Sequence, residues 1–300
     1  MMRDGGTLRV VWSEKHDEDR SPFHRSHDLC EQIPDEGAPT SERSALLLKG
    51  YAVRRQLGET RSVIAQRHAL ISADSHEVTP MPGWPGSRIV VVMSPQMGAQ
   101  FSQFFAEMPG GAVGRAPSSG VERFLFVLEG AVSLHMDDKV HRLEAEAYAL
   151  VPAGAVHEIK AVNSARLVVL EKVFVPLEGA AHPELVIGTV EAQPKRAMSD
   201  DGLLEVRKLL PVDERFDCEV NVMEFQPGGS LPYVETHFVE HGLLMLSGGG
   251  IYRLDEDWFS VVEGDVIWMG PYCPQWFGAL GAEPARYLIY KNWNRDSLTG

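Results

Sequence analysis

From Arg61 onward the chain alternates short apolar runs with breaks made of Gly, Pro and Asp. RSVIAQRHALIS, RIVVVMSP, AQFSQFFAEMPGG, RFLFVLEGAVSLHMD, YALVPAG and RLVVLEKVFVP come first. CEVNVMEFQPGG, HGLLMLSGGGIYRLDED, DVIWMGP and ARYLIYKNW follow later. These runs are of strand length, rich in Val, Leu and Phe and bounded by turn residues, a pattern that predicts an all-β sandwich or barrel. Between the two sets, the stretch after Pro176 scatters Pro, Gly and charge through Ala180, Pro183 and QPKRAMSDDG, and reads as a link to a second domain. Residues 1 to about 55 show no sustained periodicity and read as a mobile or loosely attached arm. The expected divisions are therefore an arm at 1–55, a first β domain at 56–178, and a linker with a second β domain at 179–300.

The two β domains resemble each other. Pro109, Gly110 and Gly111 fall on Pro227, Gly228 and Gly229, Gly130 falls on Gly248, and Asp137 on Asp255, all at one shift of 118 residues. One shift kept through turns and strands points to a duplicated unit.

Composition narrows the setting. A formal net charge of -14 disfavours nucleic-acid backbones and anionic membrane surfaces as partners, because no compensating basic patch is visible. The longest apolar runs are short of the ~20 residues that span a bilayer, and nothing near Met1 reads as a secretory signal. Three cysteines, Cys30, Cys218 and Cys273, are odd in number and form no CxxC pair, so a reducing cytoplasm is the simplest compartment. The run from His24 through His27 to Cys30 offers metal-type side chains but no fourth ligand at a familiar spacing.

The candidate chemistry sits in Gly229 to Gly248, where Glu235, His237 and His241 are evenly spaced. On an extended strand, even spacing puts all three on one face. At the duplication shift these positions are Pro117, Ser119 and Arg123 in the first half, and Gln275 corresponds to His157. Only the second half therefore carries a ligand set. A carboxylate, two imidazoles and an amide suit Mn²⁺, Fe²⁺ or Zn²⁺, and the two oxygen donors lean toward manganese. A helical HxxxH pair is disfavoured, because Val234, Thr236, Phe238 and Val239 favour strands and Gly242 would stop a helix. Tyr287 and Lys291 are four apart on an expected strand and so share a face, with Tyr252 and Met223 on flanking strands. A lysine in that context is costly to bury unless it meets an anion, which makes Lys291 a candidate for binding a substrate carboxylate or for proton transfer. Cys273 reads as a small apolar loop residue and His157 as structural.

These residues resemble the cupins, whose pattern is Gly-x5-His-x-His-x3-Glu-x6-Gly followed by Gly-x5-Pro-x-Gly-x2-His. Here the second repeat reads Gly229-x5-Glu235-x-His237-x3-His241-x6-Gly248 and then Gly264-x10-Gln275. That permuted donor set is similar to the bicupin (S)-ureidoglycine aminohydrolase family of purine breakdown, over roughly Arg61 to Asp296. The resemblance implies an all-β bicupin with no metal in the first cupin. It further implies Mn²⁺ held by Glu235, His237, His241 and Gln275, with Met223, Tyr252, Tyr287 and Lys291 near the substrate, and a homo-oligomer. The implied reaction takes (S)-ureidoglycine to (S)-ureidoglycolate with loss of ammonia. In it Lys291 and the metal would hold the substrate carboxylate, and Glu235 or a metal-bound water would move the proton. The competing readings are an iron cupin dioxygenase or isomerase and a non-catalytic cupin that binds a small acid.

Overall fold

The computed structural model describes residues 60–295; the expected arm at 1–55, with His16, His24, His27 and Cys30, lies outside the described residues. The first strands are β1 (Val63–Ile64), β2 (His68–Ile71), β3 (Val78–Thr79), β4 (Arg88–Met93), β5 (Ser102–Met108) and β6 (Val113–Arg115). They are followed by β7 (Val121–Met136), β8 (Lys139–Glu144), β9 (Ala147–Val151), β10 (His157–Val173) and β11 (Val186–Thr189). Next come β12 (Arg196–Ala197), β13 (Leu204–Lys208), β14 (Cys218–Phe225), β15 (His241–Ser247) and β16 (Gly249–Leu254). The last are β17 (Asp257–Val262), β18 (Val266–Met269), β19 (Gln275–Ala279) and β20 (Ala285–Asn292). Among the described residues, the helical segments are two short 3-10 turns, and no helix is long and apolar enough to cross a membrane.

The duplication read from the sequence is a structural repeat. β8 and β17 are related by the same shift of 118 residues. Gly130 and Gly248, also so related, both hold a left-handed φ, +75° and +67°, beside a break in pairing. A Cβ on either would lie 2.1 Å from the Ser164 carbonyl oxygen or 2.6 Å from that of Pro284, so glycine is required there. In the first half the chain runs through the bend as one long strand, β7. In the second it breaks into β15 and β16, which belong to different sheets.

Each half encloses a core, and a third lies between the halves. Phe104, Leu125, Val127 and Leu167 fill the first barrel. Phe225, Leu243, Tyr252, Phe277 and Tyr287 fill the second. Phe105, Phe124, Phe126, Leu244, Trp268 and Leu288 belong to the core shared between them. This explains why FLFV, LLML and YLIY are apolar at every position: alternate residues face the barrel interior and the neighbouring barrel, so neither face meets water.

Two strands cross the boundary expected at residue 178. β2 pairs with β18 in the second half, matching His68 to Met269 and Ile71 to Val266. β11 pairs with β9 in the first half. The β2 segment is fastened by two arginines. Arg61 donates to both oxygens of the buried Asp265 at 2.7 and 2.9 Å. Arg67 donates to both oxygens of Asp255 at 2.7 and 2.8 Å.

Candidate metal centre

The segment before β15 is not the extended strand that even spacing implied. It pairs only through isolated bridges, Ser230 with Gly278 and Glu235 with Gln275, the latter with each N–H donating to the other's carbonyl at 2.8 and 2.9 Å. His237 lies in irregular chain, tied by its carbonyl to the Tyr272 N–H at 2.7 Å. His241 opens β15. Glu240, just before His241, points away from the barrel interior. Its carboxylate takes the Trp268 indole N–H at 2.7 Å and the Gln100 N–H at 3.0 Å, within the seam between the halves.

Three of the four donors nevertheless gather around the fourth, His237. His241 Nε2 is 3.4 Å from His237 Nε2, Gln275 Nε2 is 3.3 Å from the same atom, and Glu235 Oε2 is 3.9 Å from it. The imidazoles stand nearly perpendicular, at 87°. Two donors at right angles on an ion with bonds of about 2.1 Å stand about 3 Å apart, close to these separations. Rotating the Gln275 amide about its terminal bond presents Oε1 in place of Nε2 without change of shape. His241 is buried, and desolvation first, then the positive fields of Lys291 and His237, hold it well below the usual imidazole range. It is thus kept in the neutral form that ligates metals. The donor types present, a carboxylate, two imidazoles and an amide, are ones that suit a divalent ion.

The remaining expected residues line the same interior. Met223 on β14 pairs with Tyr287 on β20, and both are buried. Tyr252 on β16 donates its hydroxyl to Met269 Sδ at 3.5 Å. Burial, then the neighbouring Glu235 among other charges, pushes the Tyr252 phenol above its ordinary value; burial, then Tyr252 and Glu235, does the same for Tyr287. Lys291 lies between His241 on one side and Glu219 on the other. Its Nζ is 3.8 Å from Glu219 Oε1, so the anion that a half-buried lysine needs is a residue of this chain. Glu219 was not singled out by sequence reasoning. Its only signal was alternation within CEVNVMEF, which shares a face among Glu219, Asn221 and Met223. Cys273 is buried within the second barrel, and both described cysteines are free.

In the first half, Arg123 occupies the position of His241. Its guanidinium donates to Glu171 at 2.8 Å and to the Arg115 carbonyl at 2.9 Å, lies 3.0 Å from His157 Nε2, and packs 5.0 Å from the Trp84 ring. A fixed cation with its own counter-ion stands where the second half has its donors.

Among the described residues, Glu122, Asp217 and Cys218 bring acid and thiol donor atoms within 4.8 Å of one another. This group is a poor metal centre. Lys172 Nζ already contacts Asp217 and lies 3.7 Å from Glu122 Oε1, and burial raises the Cys218 thiol well above its normal range, keeping it protonated.

The second half of the chain thus presents a carboxylate, two imidazoles and an amide at one end of an aromatic barrel. A family model described as Cupin domain matches residues 104–173. The (S)-ureidoglycine aminohydrolase of Arabidopsis thaliana is 40% identical over 242 residues, which cover 80% of this chain and 80% of that protein. The chain belongs to the (S)-ureidoglycine aminohydrolase family of bicupins. The Escherichia coli (strain K12) (S)-ureidoglycine aminohydrolase is 30% identical over 256 residues, covering 82% of this chain and 96% of that one. Among solved structures, the crystal structure of the Escherichia coli protein Ylba superposes with a TM-score of 0.71 at 27% identity. It covers 81% of this chain and 98% of that one.

Proposed function

We propose that this chain is a manganese-dependent (S)-ureidoglycine aminohydrolase acting as a cytoplasmic homo-oligomer. The observation that carries the reading is the gathering of Glu235, His241 and Gln275 around His237, with Lys291 paired beside His241, in a chain of this family. Two oxygen donors among the four favour manganese over zinc. Buried cysteines left unpaired accord with a reducing compartment.

The substrate carbon carries an amine, a ureido nitrogen and a carboxylate. Glu235, His237, His241 and Gln275 would hold a divalent ion, which would supply electrophilic polarisation of the substrate. Lys291 neutralises the substrate carboxylate and sets its direction. Glu235, whose Oε2 faces the donor cluster, takes the proton that the incoming water gives up, and that proton leaves with ammonia as the C–N bond breaks and the C–O bond forms. Tyr252, Tyr287 and Met223 wall the site and keep bulk water from the reacting carbon. Lys291, the four residues that would hold the ion, and the wall of Tyr252, Tyr287 and Met223 would meet the substrate carbon's groups from three directions, the minimum that selects one enantiomer.

Purified protein should contain close to one manganese per chain and release ammonia from freshly generated ureidoglycine. Turnover that survives the combined His237→Ala and His241→Ala substitution would remove the proposal.

A further inference from the structure

Across the sheet of the second barrel, Glu219, Lys291, His241 and Met269 form one row of paired positions on adjacent strands. The corresponding row of the first barrel is Ser102, Glu171, Arg123 and Val151. In the first barrel the ion pair closes between the two central members, Arg123 and Glu171. In the second the central member is a cation, and its counter-ion has moved one strand outward, to the side away from His241. Such an order anchors the ammonium from behind and leaves its front toward the donors.

Glu219 is itself held in place. Asn221, two residues along the same face, donates Nδ2 to Glu219 Oε1 at 2.6 Å, and Lys208 donates to Oε2 at 2.9 Å. Its carboxylate is buried, and although burial alone would raise its pKa, Asn221, Lys208 and Lys291 outweigh that and hold it below the usual range. One carboxylate shared by two lysines does not cancel the charge of either, so Lys291 keeps net attraction for an anion on its other side.

We infer that Glu219, locked by Asn221 and Lys208, is the positioning residue that aims the Lys291 ammonium at the carboxylate of an α-substituted acid in the site. The inference rests on the proposed role of Lys291. It makes Glu219 specific to acid recognition, with no part in holding the metal or moving a proton.

The test compares Glu219→Gln, Glu219→Asp, Lys291→Met and the Glu219→Gln/Lys291→Met double variant, all loaded with manganese. Glu219→Gln should raise KM for ureidoglycine about tenfold or more with a smaller change in kcat, and Glu219→Asp should recover most of the loss. Binding of (S)-ureidoglycolate, followed by titration calorimetry, should weaken alike. In the double variant the Gln substitution should add nothing to Lys291→Met, because both remove one interaction. Multiplicative losses, or wild-type KM in Glu219→Gln, would overturn the inference. A crystal structure of Glu219→Gln decides positioning without reference to substrate: a Lys291 Nζ displaced from beside His241 supports it, and an unmoved Nζ refutes it. If the proposed role of Lys291 is itself wrong, Lys291→Met will bind and turn over substrate like wild type, an outcome separate from the Glu219 result. Should Glu219→Gln fail to fold, Asn221→Ala frees the carboxylate from its anchor and should move KM in the same direction.

Discussion

Arg123 and His241 hold the same place in the two barrels, each directly after a buried glutamate and each paired with the last strand of its half. One carries a permanent cation satisfied by Glu171, and the other a neutral imidazole whose Nε2 faces His237.

The two positions should therefore fail differently. Arg123→Met leaves Glu171 and His157 without their partner and should cost about 3 kcal/mol of stability. Metal content and turnover per folded chain should remain near wild type. Chemical denaturation read beside elemental analysis separates the two effects.

In the second barrel, His241→Ala should lower manganese content and cut turnover by more than ~100-fold. Lys291→Met should keep the metal and lose activity mainly through KM. Equal metal loss in both variants would place Lys291 among the groups that build the site and deny it a role in acid binding.

Glu122 makes stability depend on pH. Burial, then the nearby Asp217, raises its carboxyl from 4.5 to about 8, with Lys172 pulling in the opposite direction. Between those values the folded chain holds a proton that the unfolded chain has released. This contribution to stability is therefore complete below the unfolded value and is lost as pH rises through about 8. Thermal melts from pH 5 to 9 should show a decline that Glu122→Gln flattens, with the variant melting higher than wild type at the alkaline end.

Leu70 lies fully buried in the second barrel, though it comes from a strand that precedes the first. Leu70→Ala should cost about 2–5 kcal/mol. Because β2 borders β18, which pairs with β15, the variant should also release manganese faster under a chelator. Metal retention equal to wild type at matched folded fraction would show that β2 supports the fold alone.

Much of the architecture could be read from the chain. Uninterrupted apolar runs such as FLFV and YLIY, together with the single shift linking Gly130 to Gly248, indicated two β units. The candidate donors could be named by type, as could the need for an anion near Lys291. The backbone path through them could not: even spacing implied one strand, whereas the chain at His237 is irregular and gives its carbonyl to the Tyr272 N–H, a contact between distant residues that leaves no local trace. Glu219 escaped for the same reason, since its partner Lys291 lies on another strand far along the chain. The transfer of β2 to the second half was likewise hidden, because HALI reads as a strand without saying whose neighbour it is.

The apolar layer between the barrels has a consequence for dividing the chain. Phe105, Phe124 and Phe126 on one side, and Leu244, Trp268 and Leu288 on the other, would become greasy exteriors on any fragment made by cutting at the linker. Each piece would also lack a strand that now sits in its sibling. The barrel whose Arg123 stands in the donor position thus covers the apolar face of the other, and the half proposed to hold the metal is not expected to be obtainable as a soluble module by itself.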